Sequence, residues 1–156
     1  MNGGERSLEQ VYSSAVSGLY ARLKSNYDFI YRRFGDEGMQ LIADMSRDYG
    51  LSIAGRAKDK LKDKSMNSVA DYLLRIFDTV IRGSDSPPII QRSDTAVVIK
   101  VAFCPICFEK PEMCLAHTAM EKTVVEELNP ALTYRIGKSI PAGDSFCEHI
   151  IEIRKT

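Results

Sequence analysis

The sequence of 156 residues contains no tryptophan, and its 21 basic and 21 acidic residues leave no net charge. Proteins that bind nucleic acid through bulk electrostatics carry an excess of basic residues, so this composition argues against that class. No apolar run approaches the roughly 20 residues of a membrane-spanning helix, and the N-terminal segment lacks the charged-then-apolar order of a signal peptide. We therefore expect a cytoplasmic protein that binds neither nucleic acid nor a membrane and whose thiols are reduced or metal-bound.

Cysteine and histidine are absent from the first 103 residues. All four cysteines and both histidines of the chain follow that point. They form three pairs of short spacing: Cys104 with Cys107, Cys114 with His117, and Cys147 with His149. Thiolate sulfur and neutral imidazole nitrogen are preferred protein ligands of zinc and of iron–sulfur centres. The clustering therefore predicts a zinc or iron–sulfur site in the second half of the chain.

The spacing within each pair supports that prediction. Two cysteines in a CxxC turn can chelate one ion. Cys114 and His117 are three residues apart, which places both on one face of a helix. Cys147 and His149 are two residues apart, which places both on one side of a strand. Three elements can thus offer a ligand pair each, and the six side chains exceed the usual four ligands of a tetrahedral site.

A ranking of these ligands follows from their distribution. Cys147 is the only cysteine on the predicted C-terminal strand, so a site that joins three elements must include it. We expect Cys107, Cys114 and Cys147 as core ligands, with Cys104 or His117 as the fourth. His149 would contact a metal ligand without binding the metal itself, or would take no part in the site. Two other interpretations stay open: the cysteines are reduced thiols packed as small hydrophobes, or they form a disulfide or redox dithiol.

The first half of the chain predicts helices. Ser7 and Gln10 have the spacing of a capping box, and apolar residues then recur at three-and-four spacing as far as Phe34. Gly35 breaks this pattern, a second helix begins after Asp36, and a third ends at Gly83. An apolar stripe on the first helix predicts a homodimer face or the wall of a ligand pocket. Its members are Tyr12, Leu19, Tyr20, Tyr27 and Tyr31.

The second half predicts a small sheet. Two prolines make residues 84–88 a linker. The pattern then predicts a short strand at 89–90, a β-branched strand at 95–103, a helix from 111 to about 128 and strands at 132–139 and 146–153. Pro141 and Gly143 predict the turn between the last two strands. The expected architecture is a single α+β domain spanning residues 1–156. Its helical half is residues 1–83, and its sheet half, with the Cys/His site, is residues 89–156.

Several short motifs resemble a known family. They are the segment Arg-Phe-Gly-Asp-Glu-Gly at 33–38, Leu-Asn-Pro-Ala-Leu at 128–132, Ile-Pro-Ala-Gly-Asp at 140–144 and the final Cys147. Their order resembles the L-2-amino-thiazoline-4-carboxylic acid hydrolase-like family. It is also similar to the 4-vinyl-reductase domain, in which Gly-Asp in the last hairpin is followed closely by cysteine.

The resemblance carries several implications. It implies an α+β fold like that of trafficking-complex subunits and nitric-oxide-sensing domains, with a small-molecule pocket between helices and sheet. It also implies cysteine-bound metal and frequent dimers. By position, Cys104 or Cys107, then Cys114 and Cys147, match the cysteines of the family. This chain departs from the pattern in the extra cysteine of its CxxC and in His149, which replaces a usual apolar residue.

Two classes of function are consistent with these observations. In the first, a thiolate-rich zinc or iron–sulfur centre stabilises a domain that binds or senses a small molecule. In the second, the protein is a hydrolase that opens a thiazoline-type ring. That reaction needs water activated by zinc, or a thiolate nucleophile paired with a base such as His117. Sulfur-rich ligand sets suit structural sites better than hydrolytic ones, which favours the first class. A scaffold that only dimerises is a third interpretation.

Overall fold

The computed structural model describes residues 5–81 and 86–155. Its elements in chain order are the helices α1 (Leu8–Ala57) and α2 (Met66–Ile81), the strands β1 (Ile89–Arg92) and β2 (Ala96–Val101), the helix α3 (Pro111–Leu128), the strand β3 (Leu132–Ile136), a 3-10 turn (Ile140–Ala142) and the strand β4 (Cys147–Ile153). This arrangement confirms the predicted α+β class. The predicted helix end at Gly83 and the first residues of the predicted linker lie outside the described residues.

Helix α1 begins at the predicted capping box and bends at the predicted glycine. The Ser7 hydroxyl accepts a hydrogen bond from the Gln10 backbone N–H at 3.2 Å, and Gln10 Oε1 accepts one from the Ser7 N–H at 3.0 Å. Gly35 has φ 56° and ψ −131°, a backbone conformation that side chains disfavour. We predicted two helices here, and the chain passes between them through a kink at Gly35 without an intervening loop.

The four strands form one antiparallel sheet in the order β1-β2-β4-β3. Ile151 of β4 pairs with Val97 of β2 on one side and with Tyr134 of β3 on the other. The predicted pairing of the last two strands is therefore confirmed. In the turn between them, Gly143 has φ 95°, the left-handed conformation expected for this glycine.

Helix α3 is common to both hydrophobic clusters of the domain. One cluster joins it to α2 and the sheet, with Leu73, Val97, Ile99, Val124 and Ile151 fully buried. The other joins its N-terminal half to α1. Contact between α1 and α3 is close at Gly50. A Cβ atom added there would lie 2.7 Å from the Met120 carbonyl oxygen and 2.9 Å from Thr123 Cβ. A side chain at this position would therefore push the two helices apart.

The apolar stripe predicted on α1 is partly buried and partly exposed. Tyr27 is buried, whereas Leu19 remains exposed. Tyr12 donates a hydrogen bond from its hydroxyl to the Thr79 carbonyl at 2.7 Å, which links the start of α1 to the end of α2. Among the described helices, none is both long enough and apolar enough to cross a bilayer.

Candidate functional site

A cavity of about 680 Å³ lies among α1, α2, α3, β4 and the segment that follows β2. Its size falls within the range of roughly 300–1,000 Å³ that is typical of small-molecule sites. Most of the side chains that line it are apolar or aromatic; they include Leu23, Ile53, Tyr72, Phe77, Ile106 and Phe108. Few polar groups interrupt this wall, and two of them are the histidines of the chain.

Three of the four cysteines line this cavity, and each comes from a different part of the fold. Cys104 follows β2, Cys114 lies on α3 and Cys147 begins β4. The pairing of Val101 with Cys147 brings the end of β2 to the start of β4. Burial, followed by the neighbouring Cys147 and Cys104 thiols, raises the pKa of Cys114 to about 12. Burial also raises the pKa of Cys147. Both thiols are therefore protonated at neutral pH unless a cation compensates their charge.

The CxxC turn has a geometry of its own. Cys107 has a positive φ of 52°. Its backbone N–H donates to Cys104 Sγ at 3.2 Å, and its thiol donates to the Cys104 carbonyl at 2.9 Å. Cys147 Sγ likewise accepts a hydrogen bond from the Ile140 N–H at 3.3 Å. This hydrogen bond favours the Cys147 thiolate, but burial has the larger effect and the pKa of Cys147 is raised.

Five of the six predicted metal ligands share the cavity, but they do not form a complete ligand set. Cys104, Cys114, His117, Cys147 and His149 all line the cavity, and Cys107 does not. In the part of the chain that the structure describes, no three Cys, His, Asp or Glu side chains converge closely enough to hold one ion. Binding a metal ion through these residues would require side-chain rearrangement.

Both histidines are half-buried, lie against aromatic rings and contact a tyrosine hydroxyl. The Tyr27 hydroxyl lies 3.3 Å from His117 Nδ1, and the Tyr134 hydroxyl lies 2.6 Å from His149 Nδ1. The rings of His149 and Phe77 are 4.6 Å apart. Burial lowers the pKa of each histidine to about 4. At neutral pH both imidazoles are therefore uncharged, and each can offer one nitrogen as a donor and one as an acceptor.

Glu121 is a titratable residue of the cavity that the Cys/His spacing did not indicate. It lies on α3 four residues after His117 and seven after Cys114, so all three occupy one face of the helix. Its side chain is 5% exposed, and Oε2 has no hydrogen-bond partner among the described residues. Burial raises the pKa of Glu121 to about 7. An acidic residue in register with Cys114 and His117 was the available signal.

These groups favour binding over nucleophilic catalysis. A thiol nucleophile needs a lowered pKa or a hydrogen-bonded base. Burial raises the pKa of the Cys114 and Cys147 thiols instead. Across residues 5–81 and 86–155, no hydrogen bond joins a cysteine sulfur to His117 or His149.

No protein-family model matches the sequence, and neither does any curated protein. The family resemblance therefore depends on its motifs alone. The segment at 33–38 spans the kink of α1, residues 140–144 include the 3-10 turn, and Cys147 begins β4. Two of these motifs thus form the turn and the strand that bring Cys147 to the cavity.

Proposed function

We propose that this protein binds a small, mainly apolar molecule in the cavity and acts as a ligand-binding or sensing domain. The cavity itself carries the proposal: about 680 Å³, with an apolar and aromatic wall contributed by several elements of the fold. Its polar groups are few and specific, and such groups orient a ligand within an apolar site. Burial raises the pKa of the Cys107, Cys114 and Cys147 thiols, and among the described residues no cysteine sulfur is hydrogen-bonded to a histidine. Both observations support binding rather than ring-opening hydrolysis as the function.

We further propose that the cysteines around the cavity bind zinc or an iron–sulfur cluster. Cys104, Cys114 and Cys147 line the same cavity, and the charge of Cys104 adds to burial in raising the pKa of both Cys114 and Cys147. A bound cation would compensate the thiolate charge that burial disfavours and would tie α3 to the sheet. His149 already contacts Tyr134, which agrees with a role outside the ligand set.

The assembly and cellular location are also proposals. The N-terminal part of α1 exposes apolar side chains that this single chain leaves uncovered: Leu8, Val11, Leu19, Phe29 and Phe34. They support a homodimer through this helix. Tyr27 cannot contribute to that face, because it is buried against Phe108.

We propose a cytoplasmic location, in keeping with four cysteines that form no disulfide. We also propose that the protein is related to the 4-vinyl-reductase domain, because the short motifs occur in the same order.

The cavity can be tested with the neutral fluorescent probe N-phenyl-1-naphthylamine. We expect saturable binding of one probe per chain, with the blue-shifted emission of an apolar site. Ser46 lies on α1, is buried and lines the cavity. The Ser46→Phe substitution should obstruct the cavity and weaken binding. Ile76→Trp, on α2, provides a second obstruction from another wall.

Ser14→Phe is the matched control, because Ser14 is an exposed residue of the same helix. Circular dichroism should show that each variant retains its helical content. The proposal is wrong if the wild-type protein does not bind the probe, or if both cavity variants bind it as tightly as Ser14→Phe does.

A further inference from the structure

The buried carboxyl group of Glu121 lacks the partner that such a group requires. Its side chain is 5% exposed and lines the cavity, and Oε2 has no hydrogen-bond partner among the described residues. Buried carboxylates in folded proteins are normally paired or hydrogen-bonded, since an unpaired one loses its hydration without compensation. The carboxyl group of a residue that lines the cavity thus includes an acceptor that the described protein groups do not satisfy.

The groups that surround Glu121 do not neutralise it. Burial is the main cause of the raised pKa values of Tyr20 on α1, of Tyr134 on β3 and of Cys114 on α3, and the charge of Glu121 raises each of them further. All three groups become negative when they ionise. Arg56 is the only lysine or arginine among the described residues that line the cavity. It is exposed and does not contribute to the pKa of Glu121. When this carboxyl is ionised, a complementary positive charge has to come from outside the described protein groups.

We infer that the ligand of this cavity carries a protonated amine that pairs with Glu121, attached to an apolar body that fills the remaining volume. The inference rests on the proposed binding function and names the class of ligand. An ammonium group would donate to the Glu121 carboxylate, and aromatic rings of the wall, Tyr20 and Tyr27 among them, can stabilise a cation by their π faces. Glu121 is then the residue that determines specificity for charge.

Matched naphthalene derivatives separate charge from shape. 2-(1-Naphthyl)ethylamine, 2-(1-naphthyl)ethanol and 1-naphthylacetate would each displace N-phenyl-1-naphthylamine from the protein at pH 8. At this pH the amine is protonated, and most of Glu121 is ionised. A hydrogen bond to a charged group contributes enough to predict at least about a tenfold preference for the amine over the alcohol. The carboxylate should bind most weakly.

The variant that tests the role of Glu121 is Glu121→Gln, which keeps the shape and removes the charge. It should bind the alcohol as well as the wild type does and lose the preference for the amine. Glu127→Gln is the control, because Glu127 lies on the same helix, is exposed and pairs with Lys58, the residue that follows α1. It should keep the wild-type preference.

The outcomes distinguish the two proposals. Equal displacement by amine and alcohol in the wild type would overturn the inference and leave the cavity as a site for neutral molecules. An amine preference that persists in Glu121→Gln would assign the charge recognition to another residue and also overturn it. Absence of any binding of N-phenyl-1-naphthylamine would contradict the proposed function itself.

Discussion

Replacement of Glu121 by glutamine should increase the stability of the ligand-free protein, and the increase should depend on pH. Burial raises the pKa of this carboxyl from 4.5 to about 7. Between pH 4.5 and about pH 7, the folded state therefore keeps this carboxyl protonated, whereas the unfolded chain has released the proton. Stability that this proton provides is present below pH 4.5 and is lost as the pH rises toward 7. A shift of this size corresponds to about 3 kcal/mol.

The difference in free energy of unfolding between Glu121→Gln and the wild type should grow with pH. We expect the carboxyl to cost less than about 1 kcal/mol at pH 5 and about 3 kcal/mol at pH 8. The glutamine amide has a burial cost of its own, but that cost is the same at both pH values. Both proteins also retain His117 and His149, whose lowered pKa values make the folded state more stable above pH 6.5 than below it. This contribution is the same in both proteins and cancels in the difference.

Urea unfolding of both proteins at pH 5 and pH 8, without added ligand, measures this difference. Glu127→Gln is the control on the same helix, because Glu127 is 43% exposed in its pair with Lys58. An exposed pair contributes at most about 1 kcal/mol, so its effect should change little between the two pH values. A constant difference between Glu121→Gln and the wild type would refute the view that Glu121 is an uncompensated buried acid.

Three further results are expected. Gly50→Ala should lower the melting temperature, because its Cβ would lie 2.7 Å from the Met120 carbonyl oxygen. Gly55→Ala, whose Cβ would meet no neighbouring atom within 4 Å, should raise stability by up to about 1 kcal/mol. Equal effects of the two substitutions would contradict the close contact of α1 and α3. Protein purified without oxygen should contain near-stoichiometric zinc or iron by elemental analysis. Cys147→Ser should lose the metal, and His149→Ala should retain it. Fully folded, metal-free wild-type protein with four titratable thiols would refute the metal centre. Light scattering should show a dimer that Leu19→Glu weakens, and a 17.5 kDa particle at all concentrations would exclude it.

Local signals in the sequence predicted much of the fold. The capping box at Ser7, the break at Gly35 and the left-handed Gly143 each depend on a few neighbouring residues, and all three are observed. The spacing of Cys114 and His117 correctly placed both on one face of α3, and both line the cavity. Such features are predictable because the backbone geometry alone determines them.

The cavity could not be predicted in the same way. Three-and-four spacing shows that a helix face is apolar, but it does not show whether another element covers that face. Tyr27 and Leu19 belong to one predicted stripe, yet the fold buries the first and exposes the second. The isolation of Glu121 depends on how α1 and the sheet pack around α3, which is a property of the tertiary structure. For the same reason, spacing alone did not reveal that Cys107 would be directed toward the Cys104 carbonyl, outside the cavity lining.

The central claim, that the cavity binds a small apolar molecule, is tested most directly by locating a bound probe. Crystals of the protein grown with 1-iodonaphthalene would reveal the iodine by its anomalous scattering. We predict one strong peak inside the cavity, in contact with side chains such as Phe77 and Phe108, and no such peak in Ser46→Phe crystals. A probe found only on the exposed surface of α1, with the cavity empty, would contradict the claim.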